Sequence, residues 1–167
     1  MIRIVSEDFG RAMLEKVRQL ETSCGIKLTR YQKILLAEIG TLEQVLSIIA
    51  NSPITVEVVR QEYNSDGWYE REVWLKDDGG NRLVHAKTKY NVNYLPRNLF
   101  EDLKAGRIGI GSAITRHKLE TFRRIKEIGY DEQSRALSRR YEMLNDGQIL
   151  FNISETFSID LFGDYQG

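Results

Sequence analysis

The sequence predicts an α+β domain: one six-stranded, mostly antiparallel sheet with helices on one face. Three observations predict it. Apolar residues at helical spacing dominate 6–50, whereas a period of two dominates 54–162. Most strand-like runs are joined by short Asn-, Asp- and Gly-bearing connections suited to hairpins. A single helical stretch interrupts the strands, between the third and the fourth. No repeat, low-complexity tract or linker divides the 167 residues, so 1–167 reads as one domain long enough to bury a core.

Met1–Val5 is short and apolar and is assigned to no element. Ser6 is a candidate cap for a helix running to about Cys24, with Gly25 past its end and Met13, Val17, Leu20 and Cys24 on its buried stripe. Thr29 with Gln32 has capping-box spacing and opens a second helix ending near Gly40. Thr41 with Gln44 repeats that spacing and opens a third helix to about Ala50. The pair has the shape of a DNA-reading helix–turn–helix, but LEQVLSIIA carries no basic residue to meet phosphates. The free amides of Leu42 and Glu43 are instead open to a small anion.

The strands follow. ITVEVVRQEY alternates from Ile54 to Tyr63, and Asn64–Gly67 turns the chain into Trp68–Lys76. Asp77–Asn81 is a glycine-rich turn before Arg82–Tyr90. Pro96 opens a short helix that stops at Gly106, and RIGIGSAI reads as a glycine-punctuated connection. Leu119–Tyr130 and Ala136–Leu144 are the fourth and fifth strands. Asn145–Gly147 turns into the last, Gln148–Phe162.

Bulk composition narrows the function classes. Lys+Arg and Asp+Glu are both 24, so no net positive charge holds a nucleic acid. One cysteine and two histidines give neither a disulfide framework nor a metal-ligand spacing. No signal-peptide core or membrane-length apolar run is present. The expectation is a soluble, cytoplasmic domain that works without a cofactor, a nucleic acid or a membrane.

The residues that break the apolar pattern carry the chemistry. In QILFNISETFSIDLF one face is Ile149, Phe151, Ile153, Glu155, Phe157, Ile159 and Leu161, so a carboxyl group sits mid-way along an apolar face. Such a group finds a buried donor or cation, or it stays protonated. Trp68–Lys76 repeats the oddity: Arg71 shares a face with Tyr69, Val73 and Leu75. An inward Arg71 and an inward Glu155 form either a structural ion pair or a pocket. In the pocket, Arg71 grips a ligand carboxylate and Glu155 meets a polar group at the ligand's far end. Arg60 reads as a solvated strand tip and Lys87 as outward. His85 and His117 have no catalytic partner pattern. Arg123, Arg124, Arg139 and Arg140 read as two basic pairs on a charged sheet face. Gly106, Gly109 and Gly111 are not a dinucleotide fingerprint; they permit tight turning and leave the Ile110 amide available as a donor.

The ordered set of motifs resembles the chorismate lyase family, over roughly Tyr31 to Asp160. LLAEIGTLEQVL resembles the family's first flap, whose backbone meets the product carboxylate at the position of Leu42. WYEREVWL resembles the strand that supplies the carboxylate-binding arginine, here Arg71. RIGIGSAIT resembles the glycine turn that offers a backbone amide, here Ile110. NISETF resembles the final strand that supplies the acid, here Glu155, and FRRIKEIGY and SRRYEML resemble the two strands between. Two positions depart: Ile39-Gly40-Thr41-Leu42 stands at the flap, and Gly109 stands where a proline is common. The resemblance implies conversion of chorismate to 4-hydroxybenzoate and pyruvate, with no metal, redox cofactor or covalent nucleophile. It implies Arg71 and Glu155 as catalytic groups, and Arg71, Leu42, Ile110 and Glu155 as the substrate contacts. The same fold also serves as an aromatic-acid sensor domain, which is the competing class.

Overall fold

The computed structural model describes residues 1–5 and 13–163. The Ser6 cap and the first turns of the first expected helix lie outside the described residues. Helices α1 (Met13–Cys24), α2 (Arg30–Ala37) and α3 (Leu42–Ala50) come first, after a short strand β1 (Ile2–Val5). Then come β2 (Thr55–Tyr63), β3 (Trp68–Lys76), β4 (Arg82–Asn91), a 3-10 turn at Val92–Tyr94, α4 (Arg97–Lys104) and α5 (Ile110–Arg116). The chain closes with β5 (Phe122–Asp131), β6 (Ala136–Asn145) and β7 (Gln148–Ser158).

The described strands form one sheet in the order β1-β5-β6-β7-β4-β3-β2, every neighbouring pair antiparallel. The sheet thus has seven strands, not six. Met1–Val5 supplies the extra one, as Ile2–Val5 pairs with Tyr130–Glu127. Four residues cannot hold a strand alone; the ladder comes from a partner distant in sequence.

Local chemistry explains most boundaries. Thr29 and Gln32 form the reciprocal capping box, the Gln32 amide donating to Thr29 Oγ1 and the Thr29 amide to Gln32 Oε1. Gly25 and Gly106 end their helices at positive φ. Asp146 and Gly147 both take positive φ, as a two-residue hairpin loop requires, and Asp66 and Gly67 do the same at the end of the longer 64–67 turn.

Other boundaries differ from expectation. The Thr41–Gln44 box does not form: Thr41 makes no side-chain cap bond, and its methyl group lies against Gly111. Helix α2 stops at Ala37 rather than near Gly40, because Glu38 is extended and turned into the sheet. RIGIGSAI is not a plain connection: Gly109 is the N-cap of α5, where Gly111 and Ala113 are small enough to be buried. Strand β7 ends at Ser158, because Gln32 Nε2 takes the carbonyls of Ile159 and Leu161 that a longer strand would use.

One sheet face is covered and the other is wet. Leu20, Leu35, Leu36, Leu46, Leu99 and Leu103 from the helices are fully buried, as are Tyr90, Ile128, Leu137 and Phe151 from the sheet, all within one apolar cluster. Each such side chain contributes about 1.5–3 kcal/mol of hydrophobic stabilisation. On β4, exposed Lys87 and Lys89 alternate with buried Ala86, Thr88 and Tyr90. No helix among the described residues is long and apolar enough to cross a membrane.

Candidate active site

The period-two reading of β3 holds, with Arg71, Val73 and Leu75 buried on the helix side of the sheet. Glu155 is buried on the same side of β7, beside Ile153 and Phe157. Arg71 lies opposite Thr88, and Thr88 opposite Ile153. Glu155 lies opposite Ala86, and Ala86 opposite Val73. The two Cα atoms are therefore two strands and two residues apart, roughly 12 Å by ideal sheet spacing.

Both side chains line one cavity, together with Leu42, Glu43, Ile110 and Arg123. They do not pair with each other. Arg71 Nη2 donates to the Ile108 carbonyl at 2.8 Å, and Arg71 Nε is buried with no hydrogen-bond partner among the described residues. Burial pulls the Arg71 pKa below its ordinary value, with Tyr90 and Glu43 acting in the opposite sense. The structure thus leaves a desolvated cation with an unused donor.

Glu155 is held by Arg139, which the sequence places on a charged sheet face, and by Tyr141, to which it gives no separate role. Arg139 Nε donates to Glu155 Oε2 at 2.5 Å, and the Tyr141 hydroxyl donates to Oε1 at 2.8 Å. Arg139 also donates from Nη1 to the Glu38 carbonyl at 2.7 Å and from Nη2 to the Glu38 carboxylate. Burial opposes the Arg139 charge, but Glu155, Tyr141 and Glu38 outweigh it and raise its pKa above the ordinary value. Burial, and then the neighbouring Glu155 charge, push the Tyr141 phenol well above its usual range. Both Glu155 oxygens therefore act as acceptors, one from a guanidinium and one from a phenol.

The basic pairs expected on a charged face are split. Arg124 and Arg140 bind Glu142 and Glu127 near the surface. Arg139 and Arg123 turn inward, with side-chain exposures of 1% and 9%. Arg139 shares the inner face of β6 with Leu137, Tyr141 and Met143, so the alternation that marked Arg71 marks it too. Arg123 is harder to read, because β5 shifts register between Ile125 and Glu127. Arg60 is solvated and paired with Glu62 and Glu70, and Lys87 points outward. His85 and His117 each meet a carboxylate, Glu72 and Asp102, at 2.8 Å.

Glu43 fills part of the space. Its carboxylate lies against Gly109 and Gly111, where a Cβ would come within 1.9 and 2.8 Å of its oxygens, and it accepts from Ser112 Oγ at 3.2 Å. The open cavity is small, about 40 Å³. That is room for about three waters with the side chains where they stand. Among the described residues, no cluster of three or more His, Cys, Asp or Glu side chains is arranged to hold a metal ion.

Residues 27–164 match the family described as Chorismate pyruvate-lyase Rv2949c-like. The chain is 33% identical over 149 residues to a protein of Methanocaldococcus jannaschii named putative lyase MJ0807, covering 79% of this chain and 80% of that one. It is 26% identical over 168 residues to the chorismate pyruvate-lyase of Mycobacterium tuberculosis, covering 83% and 84%. The chorismate pyruvate-lyase of Mycobacterium leprae is likewise 26% identical, over 165 residues, with 83% and 79% covered.

Proposed function

The chain belongs to the chorismate pyruvate-lyase Rv2949c-like family, and from that premise we propose that it removes pyruvate from chorismate, leaving 4-hydroxybenzoate. What carries the reading is the pair Arg71 and Glu155. They come from separate strands, line one cavity, and are each bound to something other than the other. A structural ion pair would have brought them together.

Arg71 and the backbone amides of Leu42 and Ile110 hold the ring carboxylate. The free Arg71 Nε is the donor still to be used, and an incoming carboxylate offsets the burial that disfavours its charge. Glu155, with Arg139 and Tyr141 donating to it, accepts a hydrogen bond from the ring 4-hydroxyl. That contact fixes the ring so that its C4 hydrogen faces the enolpyruvyl methylene. As the hydrogen moves to that methylene carbon, the C3–oxygen bond breaks, the ring becomes aromatic, and pyruvate leaves. Atoms balance within the substrate, and the protein supplies orientation, worth up to about 7–11 kcal/mol in favourable cases.

The test is direct. Purified protein is incubated with chorismate while 4-hydroxybenzoate and pyruvate are followed together. Equimolar products are expected. Glu155→Gln should lower kcat by at least 100-fold with folding intact, and Arg71→Ala should chiefly raise KM. Binding of 4-hydroxybenzoate without turnover of chorismate would make the chain a sensor and end the lyase reading.

A further inference from the structure

We propose that Arg123 is the receptor for the substrate's second carboxylate, making the cavity selective for ring dianions over monoanions. This rests on the lyase reading and extends it to what distinguishes substrate from product. Arg123 projects from β5 into the cavity wall, with only 9% of its side chain exposed. Its Nη1 is buried and has no hydrogen-bond partner among the described residues. The nearest carboxylate oxygen, Glu38 Oε2, stands 3.9 Å away, beyond hydrogen-bond reach, and is itself buried without a partner. Glu38 gives its other oxygen and its carbonyl to Arg139. Arg123 is thus held close to a countercharge while keeping a donor unspent. A buried guanidinium left in that state is costly unless something else completes it.

Position decides what completes it. The Arg123 guanidinium lies over the Tyr141 ring, its carbon 5.9 Å from the ring centre, and the Tyr141 hydroxyl binds Glu155. Tyr141 thus links Arg123 to the group assigned to the ring 4-hydroxyl, while Arg71 stands on β3, with β4, β7 and β6 between it and the strand of Arg123. On the substrate, the enolpyruvyl ether is carried at C3, adjacent to C4. A ring anchored by Arg71 and Glu155 carries its ether carboxylate past Tyr141 towards Arg123. The product lacks that carboxylate and makes no such contact.

The probes are 4-hydroxybenzoate and a stable dianion, 4-hydroxybenzoate bearing a carboxymethyl ether at ring position 3. Their affinities are measured calorimetrically for wild type, Arg123→Gln, Arg123→Lys and Arg71→Gln, and chorismate turnover is measured alongside. Arg123→Gln should weaken the dianion about 10- to 100-fold, the range for one charge-assisted hydrogen bond. It should leave 4-hydroxybenzoate within about threefold of wild type by the same reckoning. Arg123→Lys should recover part of the dianion affinity, and Arg71→Gln should weaken both ligands. Equal losses for the two ligands in Arg123→Gln, or no loss for either, overturn the assignment. Selective loss of the dianion in a protein that does not turn over chorismate supports the subsite and sinks only the lyase reading. Failure of wild type to bind either probe sinks both.

Discussion

Replacing Arg139 with Met tests the arrangement around Glu155 most severely. The side chain is fully buried and donates to two carboxylates and one carbonyl. Met keeps much of the volume and removes every donor. The Glu155 and Glu38 carboxylates then stay buried without their shared cation, and breaking a buried pair from one side costs about 3–5 kcal/mol. For a chain of this length, each kcal/mol moves Tm by about 2–4 °C, so a fall of about 10 °C is expected. Urea unfolding of wild type, Arg139→Met, Glu155→Gln and the double variant gives the coupling. Glu155→Gln in the Met background removes one of the stranded charges, so the double variant should be more stable than the sum of the single losses by about 1–3 kcal/mol. A loss below about 1 kcal/mol in Arg139→Met, the range for exposed pairs, would refute the reasoning, as would additive single losses.

Three further outcomes follow from the same geometry. Glu43→Ala removes the carboxylate that lies against Gly109 and Gly111 and leaves Arg71 to the ligand alone, so 4-hydroxybenzoate should bind about 3- to 10-fold more tightly by calorimetry; unchanged or weaker binding would count against a competing role. Gly129→Ala places a Cβ 3.0 Å from both the Ile2 carbonyl and Ser138 Oγ, where backbone cannot give way cheaply. It should destabilise by about 1–3 kcal/mol and first free the β1 ladder in amide exchange, and a neutral effect would show that β1 is not held there. The Tyr90 phenol is pushed up to about 12, chiefly by burial. A raised folded-state value means that its stabilisation is whole below pH 10 and is lost as pH climbs towards 12. Absorbance titration of the folded protein should show an ionisation well above pH 10 that Tyr90→Phe removes in part; an unchanged curve in that variant would contradict the reading.

Much of this arrangement is legible in the sequence, for a definable reason. A period of two states which face a side chain takes, and it identifies Arg71 and Glu155 as polar groups on apolar faces. It also contains Arg139, between Leu137 and Tyr141, but a doublet such as Arg139-Arg140 reads as surface charge until the alternation is applied through it. Arg123 is hidden for another reason: the irregularity between Ile125 and Glu127 breaks the phase that links it to the rest of β5. Strand β1 and helix α5 are lost to locality. Four residues show no period, and the Ile2–Val5 ladder is supplied by Glu127–Tyr130. Gly109 and Gly111 suppress helix propensity while serving tertiary contacts with Glu43 and Thr41. The partners of Glu155 are likewise invisible locally, because a periodic pattern reports burial and not who meets whom.

The tether between Arg139 and Glu38 also fixes where α2 sits on the sheet. It ties the last residue of the α2 cap to the middle of the sheet, so α2 is a fixed jamb. Ile39 and Gly40 follow at once, outside any helix or strand, and α3 begins two residues later with its Thr41 cap side chain unused. Any movement of α3, which carries Leu42 and Glu43, relative to α2 has to be taken up in those few residues. With α2 tethered by Arg139 and α3 not, amide exchange should run faster across Leu42–Ala50 than across Arg30–Ala37.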